Sequence, residues 1–319
     1  MDAQLSFGSL DFASKKKRTK RDVFLAEMAA VVPWPMLEAI IEPYYPKVGP
    51  QGGRRPFPIA MMLRIYCLQQ WYSLSDPGAE EALYDIHSMR AFCHVELNRD
   101  AIPDETTILR FRHLLEQHKL TEQIFALVRS LLESKRLMLK CGTIVDARII
   151  DAPPSTKNEA KARDPEMKQG KKNKREWHFG MKAHVGTDIK GLVHSLVTTH
   201  AGASEINQLP NLLHGKEKVL YGDQAYWSEM HRFAAKEHGV RYRVNRRRNR
   251  GQQLSEYWRG VNRLRSATRA RGEHAFRIVK QLWGFTKVRY RGLAKNTARL
   301  FTMFALANLY MVRRRLLST

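Results

Sequence analysis

Arg269, Glu273, Arg277 and Lys280 are spaced by four, four and three residues. On a helix that spacing stacks them on one face, so a single carboxylate stands among three cations. The reverse face carries Ala275, Phe276, Val279 and Leu282, an apolar stripe at helical period that would dock on a core. Such a helix presents an acid to a metal ion while its basic flank draws in a polyanion. Taken alone, the same residues also describe a solvated helix with a Glu–Arg pair one turn apart. The distinction must come from the rest of the chain.

Two further acids sit where acids are costly. Asp146 interrupts the apolar run Thr143 to Ile150, and Asp223 follows Leu220-Tyr-Gly. A carboxylate inside such a run needs a partner or a metal. If the strands carrying them are neighbours, both side chains can aim at one spot and the helix brings in Glu273. Oxygen ligands of this kind suit Mg²⁺ or Mn²⁺. Two such ions, about 3.5–4 Å apart, can hold the attacking and leaving oxygens of a phosphodiester in line. Arg241, Arg243, Arg246, Arg247, Arg248 and Arg250 lie between the second Asp and the Glu. Beside three acids they read as contacts to a phosphate backbone, Arg246, Arg247 and Arg248 above all. Their bland alternative is a solvated loop.

Other chemistry has weaker support. His178 and His184 would share a strand face, but no tight ligand pair points to zinc. Trp177, Trp227, Trp258 and Trp283 either stack on an extruded base or belong to cores and interfaces. No Gly-rich phosphate loop is present, so no nucleotide cofactor is expected.

The elements that must position these residues fall into two textures. The chain has 319 residues, 43% of them hydrophobic, with 55 Lys and Arg against 31 acids and a net charge of +24. That imbalance speaks of a polyanionic partner, with a phosphate polymer ahead of an anionic membrane. The run Leu300 to Val312 is too short to span a bilayer and reads as a buried helix. Three scattered cysteines and the lack of a secretory signal fit a reducing cytoplasm, here at the nucleoid.

Residues 1–21 form a basic arm without apolar period, expected to be disordered. Residues 22–138 read as helical. The sequence predicts helices over Ile59–Tyr72, Glu80–Phe92 after a break at Asp76-Pro-Gly78, Ile108–His118 after an Asp104 cap, and Thr121–Ser134. Short helices with tight turns suit DNA binding and dimerisation, with Arg110, Arg112 and His113 on a polar face. From residue 139 to 319, strands are predicted over 142–150, 178–185, 192–199, 218–223 and 240–244. A hairpin turn is predicted at 186–191, and helices over 205–213, 228–238 and 254–282. These make a mixed five-stranded sheet with flanking helices. Residues 152–176 are a basic loop, with Lys171 and Lys172 placed to meet DNA.

Taken together the motifs resemble the DDE transposases of bacterial insertion sequences, in particular the insertion-sequence-five group. The likeness is carried by Arg54-Arg-Pro-Phe-Pro58, Met62-Leu-Arg-Ile65, Leu74-Ser-Asp76 and Pro103-Asp-Glu-Thr-Thr-Ile108 leading to Phe111-Arg-His-Leu-Leu-Glu116. It continues in Val145-Asp146-Ala, Ser155-Thr-Lys157, Trp177-His-Phe-Gly-Met-Lys182 and Arg271-Gly-Glu-His-Ala-Phe-Arg277. The resemblance implies an RNase H-like catalytic fold and a metal-binding triad of Asp146, Asp223 and Glu273. The family's Tyr–Arg–Glu–Lys pattern is matched by Arg269, Glu273 and Lys280, with Ser266 at the Tyr position. Gly272 precedes the Glu, where a larger apolar residue is expected. The expected protein is a transposase using two Mg²⁺ or Mn²⁺ ions on double-stranded DNA, both terminal inverted repeats and target, as a homodimer or larger assembly away from membranes. Its rivals are a nuclease of the same fold and a DNA-binding protein without catalysis.

Overall fold

The computed structural model describes residues 16–48, 52, 55–157, 159, 161–171, 176–248 and 251–318. The arm up to residue 15, together with Gly49, Gly53, Arg54, Lys172, Lys174, Arg175 and Arg250, lies outside the described residues. The chain divides into two units, Met1–Ile124 with Val312–Thr319, and Phe125–Met311.

The first unit is helical. Helix α1 (Lys20–Val31) starts at a capping box, in which Thr19 and Asp22 satisfy each other's backbone N–H groups. It is followed by α2 (Trp34–Ile41) and by α3 (Ile59–Trp71), most of whose side chains are buried. The expected break at Asp76-Pro-Gly78 is instead the first turn of α4 (Asp76–Asp85). Ser75 Oγ accepts from Gly78 N, and Pro77 sits where a helix needs no donor. The helix predicted over 80–92 is accordingly two, since α5 (His87–Phe92) begins after an extended Ile86. Asp104 caps α6 (Glu105–Gln117) as expected, and α7 (Leu120–Ser134) follows, with its residues from Phe125 onward assigned to the second unit.

The second unit is built on a mixed sheet of six strands: β1 (Gly142–Asp151), β2 (Lys168–Lys171), β3 (Trp177–Thr187), β4 (Val193–His200), β5 (Val219–Gly222) and β6 (Arg241–Val244). The order is β2-β3-β1-β5-β6, with β4 also on β3. Strands β1, β3 and β4 are antiparallel, while β5 and β6 run parallel to β1 and to each other. This is the RNase H-like arrangement with one strand more than expected. The extra strand, β2, lies in the insertion read as a plain loop. Its lack of apolar period reflects a short edge strand with only Gly170 buried.

Asp188 builds the β3–β4 turn. Its buried carboxylate accepts from the backbone N–H groups of Leu139, Lys190 and Leu192, at 2.9 Å each. Helix α8 (Leu209–Leu212) and α9 (Glu229–Glu237, capped by Ser228) precede β5 and β6 respectively.

The helix predicted over 254–282 is not continuous. It consists of α10 (Glu256–Arg269), a 3₁₀ turn over Ala270–Gly272, α11 (Glu273–Arg277) and a π turn over Ile278–Leu282. The extra residue of the π turn shifts the helical face. Leu282, expected in the apolar stripe, is exposed, and Trp283 and Phe285 are buried in its place beside Ala275, Phe276 and Val279. The last helix, α12 (Leu293–Leu317), contains the buried run expected over 300–312. Its Asn308 side chain bonds both N–H and C=O of Val193, tying helix to sheet. Among the described residues no single helix is long and apolar enough to cross a membrane.

Candidate active site

Asp146 lies mid-way along β1, buried, opposite Val185 of β3. On the other side β1 runs parallel to β5 in a register that pairs Ile144 with Tyr221. Continued by two residues, the same register sets Asp146 beside Asp223, so both acids face the same way. Asp223 directly follows β5 and caps the next 3₁₀ turn, where its Oδ1 accepts from Ala225 N at 2.8 Å. Glu273 is the first residue of α11, which the close approach of Gly272 to Ile144 sets against β1.

Two guanidinium groups knit the first and third acids together. Arg148 Nε lies 3.3 Å from Asp146 Oδ2, and its Nη2 lies 2.9 Å from Glu273 Oε1. Arg269 repeats the pattern more loosely, with both acids 3.6 Å away. Burial pushes the Asp146 carboxyl up to about 6. Arg148 and Arg269 pull it down, and the charges of Glu273 and Asp223 push it up again. Asp146 therefore senses the charges of both other acids, as a shared site requires. Asp146 Oδ2 is buried and accepts no hydrogen bond, for Arg148 Nε stands near it without bonding geometry.

Three residues of this neighbourhood went unnoticed in the sequence. Arg148 is two positions from Asp146 on the same strand and so on the same face, a relation that alternation alone reveals. Glu205 is held by Lys182 at 3.2 Å, and its carboxyl is raised by burial, with Lys182 opposing and Asp223 adding. Tyr226 is fully buried, and its hydroxyl is pushed well above the usual range by burial and by Glu205, Asp146 and Asp223. No spacing in the sequence announces Glu205 or Tyr226, because turns and crossovers bring them in.

The expected basic residues scatter. Arg269 stands in the site, and Arg277 is exposed. Lys280 donates to the carbonyl of Ile149 at 2.8 Å, so its ammonium is engaged on β1. Arg246 lies 4.7 Å over the Trp258 ring, and Arg247 and Arg248 are exposed. Arg110 is exposed on α6, but Arg112 is not on a polar face. It is buried and ion-paired to Asp76 at 3.1 Å and Glu116 at 2.9 Å, which removes it from any phosphate. Lys171 is exposed on β2, and Lys172 lies outside the described residues.

His184 bonds Thr199 and His194 bonds Thr143, and burial pushes both down to about 4. They are neutral structural residues at pH 7. Among the described residues no three His, Cys, Asp or Glu side chains are gathered closely enough to hold a metal ion. Asp146 and Glu273 are instead ion-paired with Arg148 and Arg269. The donor set nevertheless fits a hard cation: the ligands are carboxylate oxygens, and one buried oxygen of Asp146 has no hydrogen bond.

Two family models match the chain. One, described as Transposase domain (DUF772), covers residues 13–114. The other, described as Transposase DDE domain, covers residues 138–309, more than half of the chain and the whole of the sheet. Since the second match spans more than half of its length, the chain belongs to the transposase DDE domain family.

Proposed function

We propose that this transposase hydrolyses one phosphodiester at each end of an insertion sequence and then joins the freed 3′-hydroxyl to target DNA. In the first step a water oxygen bonds to phosphorus, leaving a 3′-hydroxyl and a 5′-phosphate. In the second, the 3′-oxygen attacks a target phosphodiester and the target's own 3′-oxygen leaves. One bond is exchanged for its equivalent, so no nucleotide is consumed. The insertion-sequence-five affiliation, recognition of terminal inverted repeats by the helical N-terminal region, and a dimer or larger assembly belong to the same reading.

The observation that carries it is the bridging of Asp146 and Glu273 by Arg148 and Arg269, with Asp223 one strand away. Mg²⁺ or Mn²⁺ ions held by Asp146, Asp223 and Glu273 would supply Lewis-acid activation of the scissile phosphate and of its attacking oxygen. In this reading Arg148 would release Glu273 when the acids hold the ions, Arg269 would offer its charge to the phosphate, and the exposed Arg277 would guide the strand in. Lys280 joins them only after releasing Ile149, while the exposed Arg247 and Arg248 track the flanking backbone.

The test is strand transfer in vitro with Mg²⁺ or Mn²⁺, scored for joined products as well as cuts. Wild type joins DNA, and Asp146→Ala, Asp223→Ala and Glu273→Ala do neither. Cuts without joining would reveal a nuclease of this fold. Binding without cutting in wild type would leave a DNA-binding protein.

A further inference from the structure

Of the four tryptophans that the sequence left between core and nucleic acid, three are accounted for by packing. Trp283 is buried, Trp227 packs against Tyr242, and Trp258 lies under Arg246. Trp177 is not: it is 62% exposed at the start of β3. A single exposed side chain needs no partner by itself, so its surroundings decide.

Trp177 pairs in register with Lys171 of β2, whose ammonium lies 5.3 Å from the ring centre. Two residues on, and on the same sheet face, Phe179 has the Arg163 guanidinium 5.4 Å from its ring. Lys168, which pairs with Gly180, lies on the opposite face of the ribbon and is not part of this cluster. Nearby acids are committed elsewhere. Asp164 and Glu166 accept from the backbone at the start of α12, and Asp151 pairs with His178 on the opposite face. From Lys168 to Trp177 the sequence carries five Lys or Arg and one Glu. Aromatic rings alternating with cations on one ribbon face match a nucleic acid, whose sugars and bases offer flat surfaces and whose phosphates offer charge.

The register places this ribbon relative to the acids. Val185 opposes Asp146, and Trp177 is eight residues away on the same strand and the same face, before the bulge at Gly186/Thr187. At about 3.3 Å per residue that is about 26 Å, or about eight base pairs of duplex.

We propose that the β2–β3 ribbon is a second DNA contact of this enzyme. In it Trp177 packs on a sugar or base of double-stranded DNA about eight base pairs from the scissile phosphate, while Arg163 and Lys171 hold the phosphates around it. The inference rests on the transposase reading above and adds a contact to it that the acid site does not contain.

The experiment is equilibrium binding of a fluorescein-labelled 30-base-pair duplex to the full chain in metal-free buffer, where cutting does not interfere. Trp177→Ala should weaken binding about tenfold, Trp177→Phe should recover most of it, and Lys171→Ala should lower the salt dependence by about one phosphate contact. Thermal melting of Trp177→Ala should match wild type, since the side chain is exposed. Iodide quenching of tryptophan emission should fall on adding duplex in wild type and not in Trp177→Phe. The proposal is overturned if Trp177→Ala binds as wild type does while Arg247→Ala/Arg248→Ala protein loses affinity. It is also overturned if quenching protection follows protein concentration instead of DNA, which would make the ribbon a contact between copies. In either case strand transfer by wild type leaves the catalytic reading standing. Wild type that neither binds the duplex nor joins DNA removes both.

Discussion

Arg148 and Glu273 are joined at 2.9 Å, across the gap between the central strand and the helix that follows the broken turn. The same guanidinium reaches Asp146, so one cation occupies the electrostatic role that a divalent ion between these acids would take. Removing it should have two opposite effects. Arg148→Gln loses a half-exposed ion pair, and metal-free protein should be destabilised by about 1 kcal/mol or less. The acids should meanwhile bind Mg²⁺ more tightly, by about fivefold for each 1 kcal/mol of competition relieved. Isothermal titration of Mg²⁺ into wild type and Arg148→Gln checks this. Equal or weaker binding in the variant would mean that the guanidinium is not the ion's competitor.

Asp146 carries a linked expectation for stability. Its folded carboxyl is raised to about 6 from an ordinary value of 3.8, chiefly by burial. A raised folded pKa contributes stability that is complete below about 3.8 and is lost as pH rises through about 6. In metal-free buffer Asp146→Asn should therefore be more stable than wild type at pH 7.5, by about 1–3 kcal/mol, and the advantage should fade by pH 3.5. Urea unfolding at the two pH values measures it. A wild type more stable than the variant at pH 7.5 would show that Arg148 and Arg269 outweigh desolvation.

Arg112 illustrates what its residue type hides and helical periodicity reveals. Two positions from Arg110, it falls on the far side of the helix, with Ile108, Phe111 and Leu115, where Asp76 and Glu116 hold it in an ion triad. Arg112→Ala should destabilise the protein by about 3 kcal/mol, because two carboxylates lose their cation away from water. Arg110→Ala, on the exposed side, should change stability by no more than about 0.5 kcal/mol. Chemical denaturation of the two variants separates them. Equal, small effects would mean that water reaches the triad freely.

What the sequence made legible, and what it hid, follows from the range of the forces involved. Strand β1 and its misplaced Asp146 were visible because an acid in a β-branched run is a local anomaly. Asp104 was visible as a cap because capping is a matter of a few neighbouring residues. The Asp76-Pro-Gly stretch was misread because the same residues serve a turn and a first helical turn equally well, and Ser75 decides between them. Strand β2 carries no period of its own, since an edge strand borrows its register from β3. The break at residues 270–272 and the π turn after it are set by the distance between helix and sheet, which no one-dimensional pattern encodes. Glu205 enters the acid neighbourhood through the connection between β4 and β5, and Tyr226 through the 3₁₀ turn that Asp223 caps.

Gly272, which stands where a larger apolar residue is expected, has a role in that distance. Its φ is −63°, an ordinary helical value, so backbone freedom is not what requires it. A Cβ there would come 2.9 Å from Ile144 Cγ2, a side chain with no exposed surface, and 3.5 Å from Thr187 Oγ1. Gly272→Ala gains about 1 kcal/mol of helix propensity and loses about 1–3 kcal/mol to overpacking. The net effect on stability should be small and unfavourable. Activity should suffer more, because Glu273 is the next residue and must move with the displaced turn. A misplacement of this kind costs from tenfold to about 100-fold in rate. Strand-transfer assays on folded Gly272→Ala protein should therefore show at least a tenfold loss. Ile144→Ala removes the methyl that the new Cβ would strike, so Gly272→Ala/Ile144→Ala should recover part of the lost rate although Ile144→Ala alone destabilises the core. Additive losses in the double variant would place the fault in the helix itself and not in its contact with β1.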